Sequence, residues 1–145
     1  MDWSRTALVF PGQGSQSIGM GKSLYETYPA SCEIFQQADD ILGFALSRLC
    51  FEGPEADLND TINTQPALYV TSIAALHALE SELGSINPGA VAGHSLGEFT
   101  ALTASGALAF EEGIMLVRER GRLMKQAGET NPGGMAALIG ADQST

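Results

Sequence analysis

Near the middle of the sequence, Gly93-His94-Ser95-Leu96-Gly97 sets one serine between two glycines. On a sharp turn from a strand into a helix, such a serine projects its hydroxyl outward and can attack an acyl carbon. The glycines let the strand and helix backbones close on one another. The Leu96 amide then stands at a helix N-terminus, suited to donate to a developing oxyanion. The same pattern also arises by chance in glycine-rich chains, and this one carries seventeen glycines. Context favours a catalytic serine: apolar Ala90-Val91-Ala92 precedes it, and an alanine- and leucine-rich stretch over residues 96–105 follows. A serine nucleophile needs a base within about 3 Å of its oxygen. Neighbouring side chains across a tight turn point apart, so His94 reads as a local structural residue. His77, inside an alanine- and leucine-rich helix, reads as packed or half-exposed. No other histidine is present, and no credible base remains among the 145 residues.

Other chemistry-bearing residues are ambiguous by themselves. Pro11-Gly12-Gln13-Gly14-Ser15-Gln16 is either an ordinary glycine-rich turn or a loop whose small residues bring N–H groups to a reacting carbonyl. Arg118, Arg120, Arg122 and Lys125 follow Glu111 and Glu112 along one predicted helix, in the order that suits the helix dipole. A solvated charge is the default for each. Cys32 and Cys50 show no metal-ligand spacing with each other or with the histidines, so both read as reduced, packed thiols.

These residues must be positioned by elements that the apolar pattern marks out. Thr6-Ala7-Leu8-Val9-Phe10, stopped by Pro11, predicts a parallel strand covered on both faces. Helices are predicted over residues 24–28, over 29–42 with Pro29 near the start and Gly43 just past the end, and around 46–50. Residues 51–63, with Gly53-Pro54 and Asn59-Asp60, predict a connecting loop holding at most one helical turn. The next helix is predicted to take Thr64 as N-cap, to hold Pro66 in its first turn and to stop at Gly84. Residues 90–92 predict a short strand, 96–105 a buried helix ended by Gly106, 111–127 another helix broken by residues 128–134, and 135–139 a further strand. Strands interleaved with helices imply an α/β architecture with a mostly parallel sheet.

Hydrophobic residues make up 44% of the chain and charged ones 17%, as expected of a soluble domain with a real core. Seven basic against seventeen acidic side chains give a formal charge of −10, which would repel a phosphate backbone and argues against nucleic-acid binding. No apolar run approaches the roughly 18 residues needed to span a bilayer, so no membrane partner and a cytoplasmic location are expected.

Phe10-Pro11-Gly12-Gln13-Gly14-Ser15-Gln16, Thr64-Gln65-Pro66-Ala67-Leu68, Gly93-His94-Ser95-Leu96-Gly97-Glu98 and Arg120-Gly121-Arg122-Leu123-Met124 occur here in the order seen in one family. Together they resemble the malonyl-CoA:acyl carrier protein transacylases, over virtually the whole chain. The resemblance implies an α/β-hydrolase-like large subdomain over residues 1–130 and the start of a ferredoxin-like small subdomain over 131–145. It implies that malonyl passes from coenzyme A to Ser95 and on to the phosphopantetheine thiol of an acyl carrier protein. The coenzyme A thioester would be a substrate, and no resident cofactor or metal is expected. Ser95 matches the nucleophile, while Gln13 and Leu96 match the residues whose backbone amides form the oxyanion hole. Arg120 matches the arginine that holds the free malonyl carboxylate. Gln65 and Met124 match positions near the pocket, though Gln65 also suits a helix start and Met124 core packing.

In that family the histidine that activates the serine lies well downstream of the turn, beyond the counterpart of Thr145, so the expectation is an N-terminal piece that is inactive alone. Three other readings stand beside it: an acyltransferase domain of a modular polyketide synthase, a serine esterase in which Gln13 and Arg120 have no special purpose, and a non-catalytic fragment that binds acyl groups or carrier protein. A carrier protein is acidic, so docking on a chain of charge −10 requires a local basic patch, for which Arg118, Arg122 and Lys125 are the candidates.

Overall fold

Residues 64–70, Thr-Gln-Pro-Ala-Leu-Tyr-Val, carry no charge, and in the computed structural model, which describes residues 3–131 and 133, every one of them is buried. They belong to α5 (Thr61–Leu83), which is enclosed chiefly by α2 (Pro29–Leu42) and α7 (Phe110–Thr130). A helix apolar around its whole circumference is stable only when neighbours cover it on several sides. The small helices α1 (Lys22–Thr27), α3 (Leu46–Glu52) and α4 (Glu55–Leu58) add to that cover. Tyr25, Phe35 and Phe51 meet with ring centres 5.1–6.0 Å apart. Phe35, Leu46, Leu58, Ile73, Ile114 and Val117 form the packed centre.

On α5 the buried Thr64, Gln65 and Tyr69 have hydrogen-bond partners, while Thr71 Oγ1 is buried without one among the described residues. Ser31 Oγ donates to the Ala74 carbonyl at 2.7 Å, joining α2 to α5. Tyr69 stacks on Phe110 with its hydroxyl 2.8 Å from Thr103 Oγ1, and burial pushes its phenol up to about 12. Cys32 and Cys50 are free thiols, and burial likewise pushes Cys50 up to about 12. Among the described residues no cluster of His, Cys, Asp or Glu could hold a metal ion, and no helix is long and apolar enough to cross a membrane.

Beside the helices lies a small parallel sheet, in which β1 (Ala7–Phe10) pairs with β2 (Ala90–Gly93) in register from Ala7 with Ala90 to Phe10 with Gly93. Helix α6 (Gly97–Ala104) follows β2 and packs on both strands. The expected cover on both faces of β1 is not found among the described residues. Successive strand side chains point to opposite faces, and Phe10 is buried while Val9 is 73% exposed. The expected strand over 135–139 lies outside the described residues.

Helix limits follow the sequence expectations at most ends. Pro29 opens α2, and Gly43, Gly84 and Gly106 follow their helices with φ of 71°, 77° and 76°. At two ends they do not. Helix α5 starts at Thr61 rather than after Thr64, because Asp60 acts as N-cap and accepts from the Ile62 N–H at 3.3 Å. Thr64 instead donates to the Leu58 carbonyl at 2.6 Å. Pro66 therefore sits inside the helix, a position that costs about 3 kcal/mol in isolation and is offset here by burial. Helix α7 has Glu111 and Glu112 in its first turn as expected, but it continues through Gly128 to Thr130 with no basic residue in its last turn, so only the acidic half of the expected match to the helix dipole is realised. Arg122 pairs with Glu119 and Lys125 with Asp60 instead.

Phe35 is fully buried at the junction of α1, α2 and α3. Phe35→Ala is expected to lower stability by about 3–5 kcal/mol, measured by urea unfolding, because the residual cavity adds to the lost transfer energy.

Candidate active site

Strand β2 runs into α6 through a turn with Ser95 at φ 54°, the one non-glycine residue at positive φ among the described residues. Such a conformation costs on the order of 1–3 kcal/mol and is held by surrounding packing. The packing is close: a Cβ on Gly93 would lie 1.9 Å from the Gly97 carbonyl carbon, and one on Gly97 would lie 2.3 Å from the Phe10 carbonyl oxygen. The Gly-x-Ser-x-Gly spacing is thus a steric requirement of this turn. Leu96 is the buried N-cap of α6, and its N–H meets no acceptor among the described residues. His94 has the structural part expected of it. Its N–H donates to the Phe10 carbonyl at 3.0 Å, its carbonyl accepts from Gly97 at 2.9 Å, and its ring lies against Gly12.

Arg120 reaches this turn from α7. Its Nη2 donates to Ser95 Oγ at 3.0 Å and its Nη1 to Gln65 Oε1 at 2.7 Å, while its guanidinium carbon stands 5.8 Å from the centre of the Phe99 ring. A guanidinium can only donate, so the Gln65 carbonyl must face Arg120 and the Gln65 amide nitrogen must face away. That nitrogen lies 3.2 Å from Thr61 Oγ1 and 3.1 Å from Met124 Sδ. With one lone pair of Thr61 occupied, its proton goes to Gln13 Oε1 at 2.9 Å. The Gln13 loop has a second tie, from Gln16 Nε2 to Asn59 Oδ1 at 2.8 Å, while Gln16 Oε1 accepts from the Gly14 N–H at 2.8 Å. The Gln13 N–H meets no acceptor among the described residues.

Helices α5 and α7 must lie close for this chain of contacts to exist. Gly121 permits it, since a Cβ there would fall 2.6 Å from the Thr61 carbonyl oxygen. Lys125 on α7 also pairs with Asp60, the N-cap of α5. The hydrogen bond from Lys125 is the main cause that holds the Asp60 carboxyl below the usual range.

Ser95, Leu96, Gln13, Gln65, Arg120 and Met124 are thus brought together, and Gln65 is a buried interior residue of α5 rather than a helix-start residue. His77 is half-buried on α5 and takes no part. Among the described residues Arg120 is the only hydrogen-bond partner of the Ser95 hydroxyl. Among the described residues the three candidates for a local basic patch are all engaged: Arg122 and Lys125 are paired to carboxylates, and Arg118 stacks on Phe44 with its guanidinium carbon 4.7 Å from the ring centre. Sequence reasoning missed Thr61 and Phe99. Thr61 was legible in principle, because taking Asp60 as N-cap puts Thr61 and Gln65 one helical turn apart on one face.

The sequence model of the acyl transferase domain family matches residues 7–144. The malonyl CoA-acyl carrier protein transacylase of Bacillus subtilis strain 168 is 50% identical over 139 residues, which cover 96% of this chain and 43% of that protein. The polyketide biosynthesis malonyl CoA-acyl carrier protein transacylase PksC of the same strain is 48% identical over 136 residues, covering 93% of this chain and 44% of that protein. The crystal structure of the acyl-carrier-protein-S-malonyltransferase from Bartonella henselae superposes with a TM-score of 0.83 at 40% identity, over 95% of this chain and 45% of that one. The chain thus spans less than half the length of each of these relatives.

The tie between α5 and α7 has a pH signature. A carboxyl whose folded pKa is depressed contributes stability above its unfolded value of about 4 and loses that contribution as the pH falls through the folded value. Lys125→Met is therefore expected to be less stable than the parent at neutral pH, with the difference shrinking toward about pH 2, as measured by urea unfolding across that range.

Proposed function

This chain belongs to the acyl transferase domain family, and from that premise we propose that Ser95 accepts a malonyl group from coenzyme A and delivers it to the phosphopantetheine thiol of an acyl carrier protein, in fatty-acid or polyketide synthesis. The observation that carries this reading is the Arg120 guanidinium 3.0 Å from Ser95 Oγ, its other arm held by the buried Gln65. In a malonyl thioester the free carboxylate stands one methylene from the carbonyl under attack, so a cation beside the nucleophile suits it. A carboxylate adds an opposite charge and offers two oxygens to the guanidinium, where the neutral hydroxyl accepts a single hydrogen bond. The incoming carboxylate therefore takes Arg120 from Ser95 and leaves the hydroxyl free to react. An esterase would have no use for a cation there.

In the first half-reaction Ser95 Oγ bonds to the thioester carbonyl carbon, and the carbonyl oxygen becomes an oxyanion facing the Leu96 and Gln13 N–H groups. The carbon–sulfur bond then breaks, and coenzyme A departs as a thiol with the proton that the serine gave up. In the second, the phosphopantetheine thiol attacks the ester, its proton passes to the serine oxygen, and the carbon–oxygen bond breaks. The resemblance assigns the carrying of these protons to a histidine in the part of the relatives' length that this chain does not span, so residues 1–145 alone are expected to show no steady-state transfer. On the same reading residues 1–130 are the α/β-hydrolase-like large subdomain, residues 131–145 open the smaller one, and the reaction takes place in the cytoplasm.

Incubation of the full-length protein with malonyl-CoA should add a malonyl mass to the Ser95 peptide, and Ser95→Ala should abolish it. Arg120→Ala should slow malonyl loading by about 10- to 100-fold and erase the preference over acetyl-CoA, the range expected for losing a hydrogen bond to a charged group. A parent that loads acetyl as readily as malonyl would remove the carboxylate role from Arg120.

A further inference from the structure

We propose that Thr61 is a positioning residue for the transfer, and that its single hydroxyl locks the Gln13 loop and the arginine facing Ser95 into one arrangement. Resting on the malonyl-transfer reading of the site, it adds a residue that touches neither substrate nor Ser95. The order of donors is set from one end. Arg120 donates to Gln65, Gln65 donates to Thr61, and Thr61 donates to Gln13, at 2.7, 3.2 and 2.9 Å. Because the guanidinium has no acceptor, the first two links can run only this way, and at the third the Gln13 side chain presents its oxygen to the Thr61 hydroxyl.

Thr61 suits this task by its own placement. It is the first residue of α5, its carbonyl lies against Gly121 of α7, and a β-branched side chain has few rotamers to choose from. Gln16 ties the far side of the loop to Asn59, and Thr61 adds the hold on Gln13 itself, which is exposed and lies between two glycines, with Gly14 at φ 106°. The direction of the Gln13 N–H therefore depends on the Thr61 contact as well as on the Gln16 ties. At the other end Gln65 is fully buried, so an amide nitrogen that lost Thr61 would have to turn to find a partner and would carry Arg120 with it. One missing hydroxyl thus disturbs the oxyanion donor and the carboxylate clamp together.

The test compares Thr61→Val, which keeps the shape and removes the hydroxyl, with Thr61→Ser, which keeps the hydroxyl, both in the full-length protein. Rapid-quench measurement of malonyl transfer to Ser95 should show Thr61→Val slowed by about 10- to 100-fold, the scale of a misplaced rather than deleted catalytic group. Its preference for malonyl-CoA over acetyl-CoA should fall as well, and Thr61→Ser should stay close to the parent in both respects. In protein with 15N-labelled glutamine, the side-chain amide resonances of Gln65 and Gln13 should move in Thr61→Val and stay in place in Thr61→Ser. Parent-like loading by Thr61→Val, or equal damage from both variants, overturns the positioning role. If the parent takes no malonyl at all, the malonyl reading fails, and the glutamine resonances still decide whether Thr61 ties the two glutamines.

Discussion

A guanidinium that can donate but never accept governs this site. Arg120 meets the buried carbonyl of Gln65, and from that one contact the orientation of the Gln65 amide and the acceptor role of Thr61 follow, while the Thr61 hydroxyl in turn donates to Gln13. Burial gives the contact its force. An unpaired amide buried on α5 costs more than the hydrogen bond returns in water, so the arrangement that satisfies Gln65 is strongly preferred. The other Arg120 arm is left for Ser95 and, on the proposed reading, for the substrate carboxylate.

The architecture around this contact tolerates local strain. Ser95 sits at positive φ, and Pro66 occupies a helix interior where it removes a backbone hydrogen bond. Each is unfavourable alone. Ser95 is held because Gly93 and Gly97 let β2, α6 and the end of β1 meet almost backbone to backbone, and Pro66 because its neighbours along α5 are fully covered. Gly121 has the corresponding part between α5 and α7, where the close approach puts Arg120 within reach of both Gln65 and Ser95. Small residues thus determine how near the large polar ones can come.

The acidic balance of the chain also looks different once side chains have partners. Lys125 reaches Asp60 at the start of α5 and Arg118 lies over Phe44, so these two cations tie α7 to its surroundings, while Arg122 pairs with Glu119 within the helix. Arg120, like Arg118, has no carboxylate partner among the described residues, and it is satisfied by the neutral oxygens of Gln65 and Ser95. A cation so satisfied keeps its charge available to an anionic ligand.

Where short-range physics decides, the sequence was sufficient by itself. Glycines that must follow helices at positive φ, a proline at the first turn of α2, and a short β2 and α6 around Gly-x-Ser-x-Gly were legible, because backbone sterics and motif spacing act over a few residues, whereas Gln13, Gln65, Arg120 and Met124 became candidates only through the family resemblance. The start of α5 was misread because Asp60 and Thr64 are equally good caps locally, and only packing against Gly121 and Lys125 of α7 distinguishes them. The exposure of Val9 and the pairing of the α7 cations are likewise tertiary facts. So is Thr61. Its hydroxyl became informative only when the fold brought residues 13, 61, 65 and 120 within hydrogen-bond reach, a proximity that separations of 48 and 55 positions along the chain cannot encode.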